Sequence, residues 1–179
     1  SSGPFQYRVF VVNGLNALGF SAQGVRGGRQ KGSRANAVDL AVAGRLDVVP
    51  TPGLFVGGAV YTGGSAQGQL ASADDPRVAT TITEVHGQVQ VRGFDLRGLY
   101  AKAFIGDVVA LNGALTTGRP VARSMAGGYA QIGYNILSQV TERAGLTPYY
   151  RYEQVNTQEN VPSPFLPNTA ADGSFHTAG

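Results

Sequence analysis

Polar side chains occupy every second position of one stretch of the chain, at Glu84, His86, Gln88, Gln90 and Arg92. Carboxylate, imidazole, amide and guanidinium groups in one row can pair with each other and attract ions, so the chemistry that they support is electrostatic. His86 would need partners at recognised spacings to act as a metal ligand or general base. The sequence has no such ligand set, no EF-hand spacing and no Gly-x-Ser-x-Gly element, so we predict no catalytic residue and no metal site.

An extended backbone is needed to bring these side chains onto one face. The alternate residues from Thr81 to Val91 are Thr, Thr, Val, Gly, Val and Val. A period of two predicts a β-strand with one apolar and one polar face. One face suited to lipid and the other to water is typical of a membrane β-barrel, although any half-buried antiparallel sheet produces the same alternation.

The composition restricts the classes of protein that this chain can belong to. Charged residues make up 14% of the 179 residues, below the roughly 25% of soluble domains. No apolar run approaches the roughly 20 residues of a transmembrane helix. The absence of cysteine excludes disulfides, thiolate metal sites and cysteine nucleophiles. The net charge is +3, and the basic residues are dispersed along the chain except in residues 26–34, so we predict no nucleic-acid partner. The sequence contains no cofactor motif.

Seven segments have strand character, and an eighth strand begins near residue 174. The seven are residues 5–13, 39–49, 54–62, 80–92, 96–105, 125–137 and 147–155. Long connections at residues 15–38, 63–79, 107–122 and 157–174 alternate with shorter ones at residues 50–53, 93–95 and 138–146. Outer-membrane barrels alternate long external loops with short periplasmic turns in this way. We therefore predict an all-β fold, an antiparallel transmembrane β-barrel with about 7–8 strands in this chain.

The polar face of the predicted strands supplies the candidate pore-lining residues. In a hydrated lumen their mixed charges would pair across strands and set an ion preference. The alternative is the solvent-exposed face of a soluble β-sandwich. The candidates are Arg8, Arg45, Asp47, Glu84, His86, Gln88, Gln90, Arg92, Asp95, Arg97, Arg151 and Glu153.

A glycine-rich basic segment lies in the first long connection and carries Arg26, Arg29, Lys31 and Arg34. It lacks the ordered Gly-Lys-Ser/Thr of a phosphate-binding loop. One interpretation is a flexible external loop. The other is an anion-attracting loop at a pore mouth, where these four cations would raise the local anion concentration.

Several motifs make the chain resemble bacterial outer-membrane porin-like proteins, in particular porins of the phosphate-selective O and P type. The motifs are VVNGLNA at 11–17, RGGRQKG at 26–32, GRLD at 44–47, PGL at 52–54, RGFDLRGLYA at 92–101, GGYAQIGY at 127–134 and PYYRYE at 148–153. The resemblance covers most of residues 5–158. It implies a porin that lets small hydrophilic solutes or ions diffuse passively across a bacterial cell outer membrane.

Residues 1–179 are expected to form a single β-barrel domain or a fragment of one, because both ends of the chain look cut and further strands would complete a larger barrel. The expected partners are outer-membrane lipid and small hydrophilic solutes or ions, with a homo-oligomer or an envelope protein complex as further partners. Two other functions stay open. One is a structural or partner-binding barrel subunit of an envelope assembly, and the other is a soluble β-sandwich binding module.

Overall fold

The computed structural model describes residues 4–70, 78–115, 120–138, 145–168 and 172–179. The described residues form eight strands, which are β1 (Phe5–Asn13), β2 (Leu40–Thr51), β3 (Leu54–Gly64), β4 (Ala79–Val91), β5 (Phe94–Ile105), β6 (Ser124–Tyr134), β7 (Tyr149–Asn160) and β8 (Asp172–Ala178). A short helix α1 (Val108–Ala114) lies between β5 and β6, and three 3-10 turns lie between β1 and β2, at Ala17–Gly19, Arg26–Gly28 and Gly32–Arg34.

The strands form one antiparallel sheet in which each strand pairs with the next along the chain. In the described part of the chain, β1 pairs with β2 alone and β8 with β7 alone, so the sheet is open and has two free edges. The all-β antiparallel prediction and the expected strand count are confirmed. Because every strand reverses direction, the longer loops after β1, β3, β5 and β7 all lie at one end, called here the loop end.

Strand boundaries differ most from the predictions in the second half of the chain. The strand predicted at 125–137 ends at Tyr134, and the one predicted at 147–155 continues to Asn160. The connection between β6 and β7 is therefore longer than expected, and its residues 139–144 lie outside the described part. The tight turns after β2 and β4 use Gly53 and Gly93, whose φ angles of 84° and 86° suit glycine.

Helix α1 was not predicted from the sequence. Its seven residues include two valines, an asparagine and a glycine, which are weak helix formers. Val108 and Leu111 are almost completely buried, so tertiary packing of one apolar side stabilises the helix instead. Within the described residues, no helix is long and apolar enough to cross a membrane.

The buried apolar residues lie at the loop end of the sheet. Ala103, Ile105 and Met125 come from the ends of β5 and β6. The loops contribute the other members of this cluster, which are Ala17, Phe20, Leu70, Val78, Val108, Leu111 and Val121. The loops therefore fold back onto the sheet and fix the position of the strands at this end.

The pairing of neighbouring strands separates the sheet into two faces of opposite character. The polar face carries Arg45, Asp47, Glu84 and His86 together with the buried Ala103. The apolar face carries residues such as Val9, Val42, Leu46, Val56, Val60, Val85, Val89, Leu96, Tyr100 and Ile132, all of them exposed. This register confirms the alternation predicted for residues 81–91.

Candidate functional site

The candidate site is the polar face of the sheet, on which the structure places all the predicted pore-lining residues except Arg92. The residues brought together on that face are Arg8, Arg45, Asp47, Glu84, His86, Gln88, Gln90, Asp95, Arg97, Arg151 and Glu153. Arg92 lies in the turn after β4 with a φ of 48° and is not part of the face. The predicted strand therefore ends one residue earlier, at Val91.

The central cluster of the polar face joins β2 to β4. Arg45 Nε donates to both carboxylate oxygens of Asp47, at 3.0 and 2.8 Å. His86 lies between two carboxylates, with Nε2 3.0 Å from Asp47 Oδ1 and Nδ1 2.6 Å from Glu84 Oε1. Arg45 Nη2 also lies 2.9 Å from His86 Nε2, and the His86 ring contacts Phe55 with centroids 5.2 Å apart.

Asp47 and His86 meet although β3 runs between their strands. Gly57 on β3 is the register partner of both residues. A Cβ at position 57 would lie 2.3 Å from Asp47 Oδ1 and 2.6 Å from His86 Nε2. The missing side chain of Gly57 is therefore what allows the two groups to pair over the middle strand.

A second cluster lies nearer the turns and is centred on Asp95. Arg97 donates through Nε and Nη2 to the two oxygens of Asp95, at 2.9 and 2.6 Å. The amides of Gln88 and Gln90 donate to the same carboxylate at 3.0 and 3.3 Å. Two charge-assisted bonds and two amide donors hold this acidic group in one orientation.

Arg151 and Glu153 form the third cluster, on β7. Arg151 Nε lies 2.6 Å from Glu153 Oε1, an ion-pair distance at which the N–H does not point along a hydrogen bond. The guanidinium carbon lies 3.7 Å from the centroid of the Tyr129 ring, which is a cation–π contact. The Tyr129 ring therefore helps to hold the Arg151 cation in place on the polar face.

Most of these charged contacts join residues two positions apart on one strand. Arg45 with Asp47, Glu84 with His86, Asp95 with Arg97, and Arg151 with Glu153 are all of this kind. The sequence-based expectation was pairing across strands, which the structure shows for His86 with Asp47 and for Gln88 with Asp95. The spacing of opposite charges at i and i+2 was the signal that could have predicted the pairs along strands.

Arg8 differs from the other arginines of the polar face. No hydrogen bond or ion pair joins its side chain to a described residue, and it is exposed. Its direct partner across β1 and β2 is Arg45. Like charges directly opposite on adjacent strands repel each other, so this end of the polar face has a positive charge that the sheet does not compensate.

The loop between β1 and β2 is fastened by buried amide groups. Gln67 is 1% exposed, and its Nε2 lies within hydrogen-bond distance of the carbonyls of Gly14 (3.1 Å) and Asp39 (3.1 Å). Its own N–H donates to Asp39 Oδ2 at 2.6 Å. Gln30 Nε2 donates to the carbonyl of Gly14 at 2.7 Å. The loop is thus tied both to itself and to the loop that follows β3.

The same loop extends across the polar face to β7. Thr157 Oγ1 donates to the carbonyl of Ala22 at 2.6 Å, and the buried Gln158 lies 3.4 Å from that oxygen and 3.1 Å from the carbonyl of Pro120. Phe20 is 1% exposed in the core. These contacts argue against the flexible-loop interpretation and show that the first loop spans most of the width of the sheet.

The four cations of this loop are exposed to solvent. Arg26, Arg29 and Lys31 line an open cavity of about 890 Å³ together with Gln23 and Gln30. Arg34 lies at the end of the third 3-10 turn and is not part of the cavity lining. The structure therefore brings three of the four predicted loop cations to one concave surface.

Sequence reasoning missed the amides that hold the loop, namely Gln30, Gln67 and Gln158. A glutamine in a polar loop looks like a solvated residue when only its neighbours in sequence are known. In the fold these glutamines hold the loop by contacting carbonyl groups that are distant in the sequence. Gln67 contacts the carbonyl of Gly14, and Gln158 contacts the carbonyl of Ala22. No local pattern could have indicated these contacts.

Comparisons with known proteins add one relative to this description. No protein-family model matches the chain. The chain is similar to an uncharacterized protein of Aquifex aeolicus (strain VF5), with 28% identity over 168 residues. The match covers 88% of this chain and 37% of that protein, so the chain spans little more than a third of the relative's length. Within the described residues, no group of three or more His, Cys, Asp or Glu side chains could hold a metal ion.

Proposed function

We propose that this chain forms part of the wall of a bacterial outer-membrane β-barrel, a porin through which small hydrophilic solutes or ions diffuse passively. The apolar face would meet lipid and the polar face would line the water-filled lumen. The single observation that supports this proposal most is an apolar sheet face that is exposed along most strands and that no described element covers.

The apolar face exposes large side chains on neighbouring strands, which a monomeric soluble domain rarely does. Tyr7 is 79% exposed, Val11 69%, Val9 66% and Val85 60%. Contiguous apolar surface of this kind marks contact with another protein or with a membrane. In a β-sandwich the same residues would face a second sheet, whereas all the described strands belong to one sheet.

The edge of the apolar face crosses the strands at a slant. Towards the loop end, the last apolar residue of this face is Leu40 on β2 and Tyr152 on β7. Following the paired residues from strand to strand, Tyr152 lies level with Val48 on β2. The two levels are therefore eight residues apart along β2, which is roughly 27 Å in the strand direction. Across the sheet, five strand spacings separate β2 from β7, which is roughly 24 Å. The line that joins these two residues is inclined by about 45°, close to the roughly 35–45° tilt of strands in a membrane barrel, and the exposed Phe104 on β5, in the row of Val42, extends beyond that line.

The charged pair near this edge fits the same arrangement. Lys102 Nζ lies 2.9 Å from Glu159 Oε1 and 5.3 Å from the centroid of the Phe104 ring. Lys102 follows Tyr100 by two residues towards the loop end, and the two share the apolar face. A lysine that pairs there and stacks on an aromatic ring is typical of the interface between hydrocarbon and water.

The polar face needs more strands than this chain provides if it is to enclose water. Eight strands close into a barrel whose interior is filled by side chains, whereas porins of about 16–18 strands leave an aqueous channel. The free edges of β1 and β8 are available for pairing with such strands. In the complete barrel the first loop would fold into the lumen and narrow it, with its cations at the mouth.

Conductance of the full-length protein in planar lipid bilayers tests the proposal. We expect discrete, ohmic current steps whose ion preference changes when charges on the polar face are replaced. A folded, membrane-inserted protein that gives no conductance and no liposome swelling contradicts the pore and favours the structural or partner-binding barrel. A full-length protein that stays soluble and monomeric without detergent contradicts the membrane location itself.

A further inference from the structure

A second concave surface lies on the polar face, beside the first loop and among strands β1 to β4. It has a volume of about 410 Å³, within the roughly 300–1,000 Å³ range of small-molecule sites. One half is apolar and is lined by Phe10, Leu15, Tyr61 and Ile82. The other half carries the charged residues Arg8, Arg45 and Glu84, so two cations face one anion there. The proposed function gives no reason for an apolar patch in a hydrated lumen.

The apolar half follows from the register of the sheet. Phe10 pairs with Ala43, Ala43 with Tyr61, and Tyr61 with Ile82, so one row across four strands is apolar on the polar face. Phe10 is 57% exposed although it lies on this face. Leu15 N donates to Tyr61 Oη at 2.9 Å, which fixes the Tyr61 ring beneath the loop. The row is therefore a preformed apolar floor that still has exposed ring surface.

The charged half lies one register row nearer the turns. Arg8 and Arg45 are direct cross-strand partners, and Arg8 has no ion pair or hydrogen bond with a described residue. Asp47 accepts the Nε bonds of Arg45, while Glu84 is held by His86. Arg8 and Arg45 are therefore direct neighbours, and among the described residues the carboxylate that is hydrogen-bonded to one of them is Asp47, which binds Arg45. An external anion would relieve this repulsion and accept bonds from Arg8.

We propose that this cavity is a binding site for amphipathic carboxylates, with the carboxylate at Arg8 and Arg45 and the apolar body on Phe10, Tyr61 and Ile82. This inference rests on the proposed function, because it gives the substrate class of the same lumen. Guanidinium groups match the planar carboxylate, and ring faces match an aromatic or aliphatic body. A small inorganic anion would use the charged half alone and leave the apolar floor exposed to water.

Calorimetric titration of the full-length protein in detergent micelles tests the site without relying on conductance. Benzoate supplies both a ring and a charge, acetate the charge alone, and benzamide the ring alone. We expect benzoate to bind at least tenfold more tightly than acetate, benzamide or inorganic phosphate. Stronger binding of phosphate, or equal binding of benzoate and acetate, overturns the proposal because the apolar half then plays no part.

Two variants and a matched control locate the binding. Arg8→Gln should weaken benzoate binding by about tenfold, since a charge-assisted hydrogen bond is lost. Phe10→Ser should remove the preference for benzoate over acetate. Arg92→Gln removes the same charge in the turn and should leave both affinities unchanged. Equal weakening by Arg8→Gln and Arg92→Gln overturns the site, because it would show a general field effect.

Conductance measured on the same preparations separates this inference from the proposed function. Selective benzoate binding by a protein that does not conduct supports the site and contradicts the pore. A conducting protein without selective benzoate binding contradicts the site and leaves the pore intact. Gel mobility before and after heating shows whether each variant is folded, and a variant that does not fold is replaced by Arg8→Lys, which should keep binding but lose the bidentate preference for carboxylate.

Discussion

The assignment of the two faces makes a sharp prediction at the adjacent residues Val89 and Gln88. Val89 lies on the apolar face between Leu54 and Leu96, and Gln88 lies on the polar face opposite Arg97. An arginine at position 89 would place its charge in hydrocarbon two residues from the turn end of β4, between the midplane cost of about 2–4 kcal/mol and the interfacial cost of about 0–1 kcal/mol, so we expect about 1–3 kcal/mol. The folded, inserted fraction at equilibrium should therefore fall by about 5- to 160-fold.

Gln88→Arg is the matched control for Val89→Arg, because it introduces the same residue one position away. Gln88 donates to Asp95 Oδ1 at 3.0 Å, and an arginine can keep a donor to that carboxylate. The new charge faces Arg97 in a hydrated environment, so the cost should stay below about 1 kcal/mol. The channel should become more anion-selective.

Urea titration of the full-length protein folding into lipid vesicles measures both changes in stability. The reasoning requires a large loss of stability for Val89→Arg and almost none for Gln88→Arg. Equal tolerance of the two substitutions would refute the assignment of inside and outside. Equal destabilisation would show that the polar face is also packed against an apolar partner, which contradicts a hydrated lumen wall.

Three further changes test the polar face and the loop. Asp95→Asn removes the negative charge that Arg97, Gln88 and Gln90 contact. Reversal potentials measured in a KCl gradient should therefore shift towards anion preference. An unchanged potential would mean that Asp95 lies away from the ion path. Gly57→Ala puts a methyl group where Asp47 and His86 meet, so it should separate that pair and lower the stability by about 1–3 kcal/mol. Gly98→Ala is the control and should lower the stability less, because a Cβ there has no contact closer than 3.6 Å. Gln67→Leu removes a buried amide nitrogen that lies within hydrogen-bond distance of three carbonyl groups. The change should lower the stability by about 1–3 kcal/mol and speed tryptic cleavage at the loop cations, whereas unchanged cleavage would mean that other contacts hold the loop.

The sheet could be predicted from the sequence because its signals are local. Strand β1 begins and ends where the alternation and the following Gly14 predict it, at Phe5 and Asn13. The faces of β2 and β4 follow from a period of two that neighbouring residues alone reveal. Turns at Gly53 and Gly93 are visible because only glycine readily adopts the required φ. Strand ends are harder: the pairing partner decides where β7 ends, and Asn160 pairs with Ser124.

The candidate site was predictable only as a set of residues on one face. Arg45, Asp47, Glu84 and His86 could be assigned to the polar face, but Gly57 gave no sign that it lets Asp47 meet His86 across β3. That contact depends on the register of three strands, which the alternation does not specify. The faces of β3 also required the register, because Phe55 and Tyr61 look as apolar as Val56 and become polar-face residues only through their partners.

The sequence by itself determined the antiparallel strands, their two faces and the charges that one face carries, because these properties depend on residues one or two positions apart. Only the tertiary structure decided that the basic loop folds across the polar face, that Gln67 and Gln158 hold it there, and that Arg8 faces Arg45. These features join residues separated by up to 136 positions, as Gln158 and Ala22 are. Such contacts form because burial and hydrogen bonds between distant residues stabilise the folded chain. Patterns of neighbouring residues do not reveal which distant groups will meet.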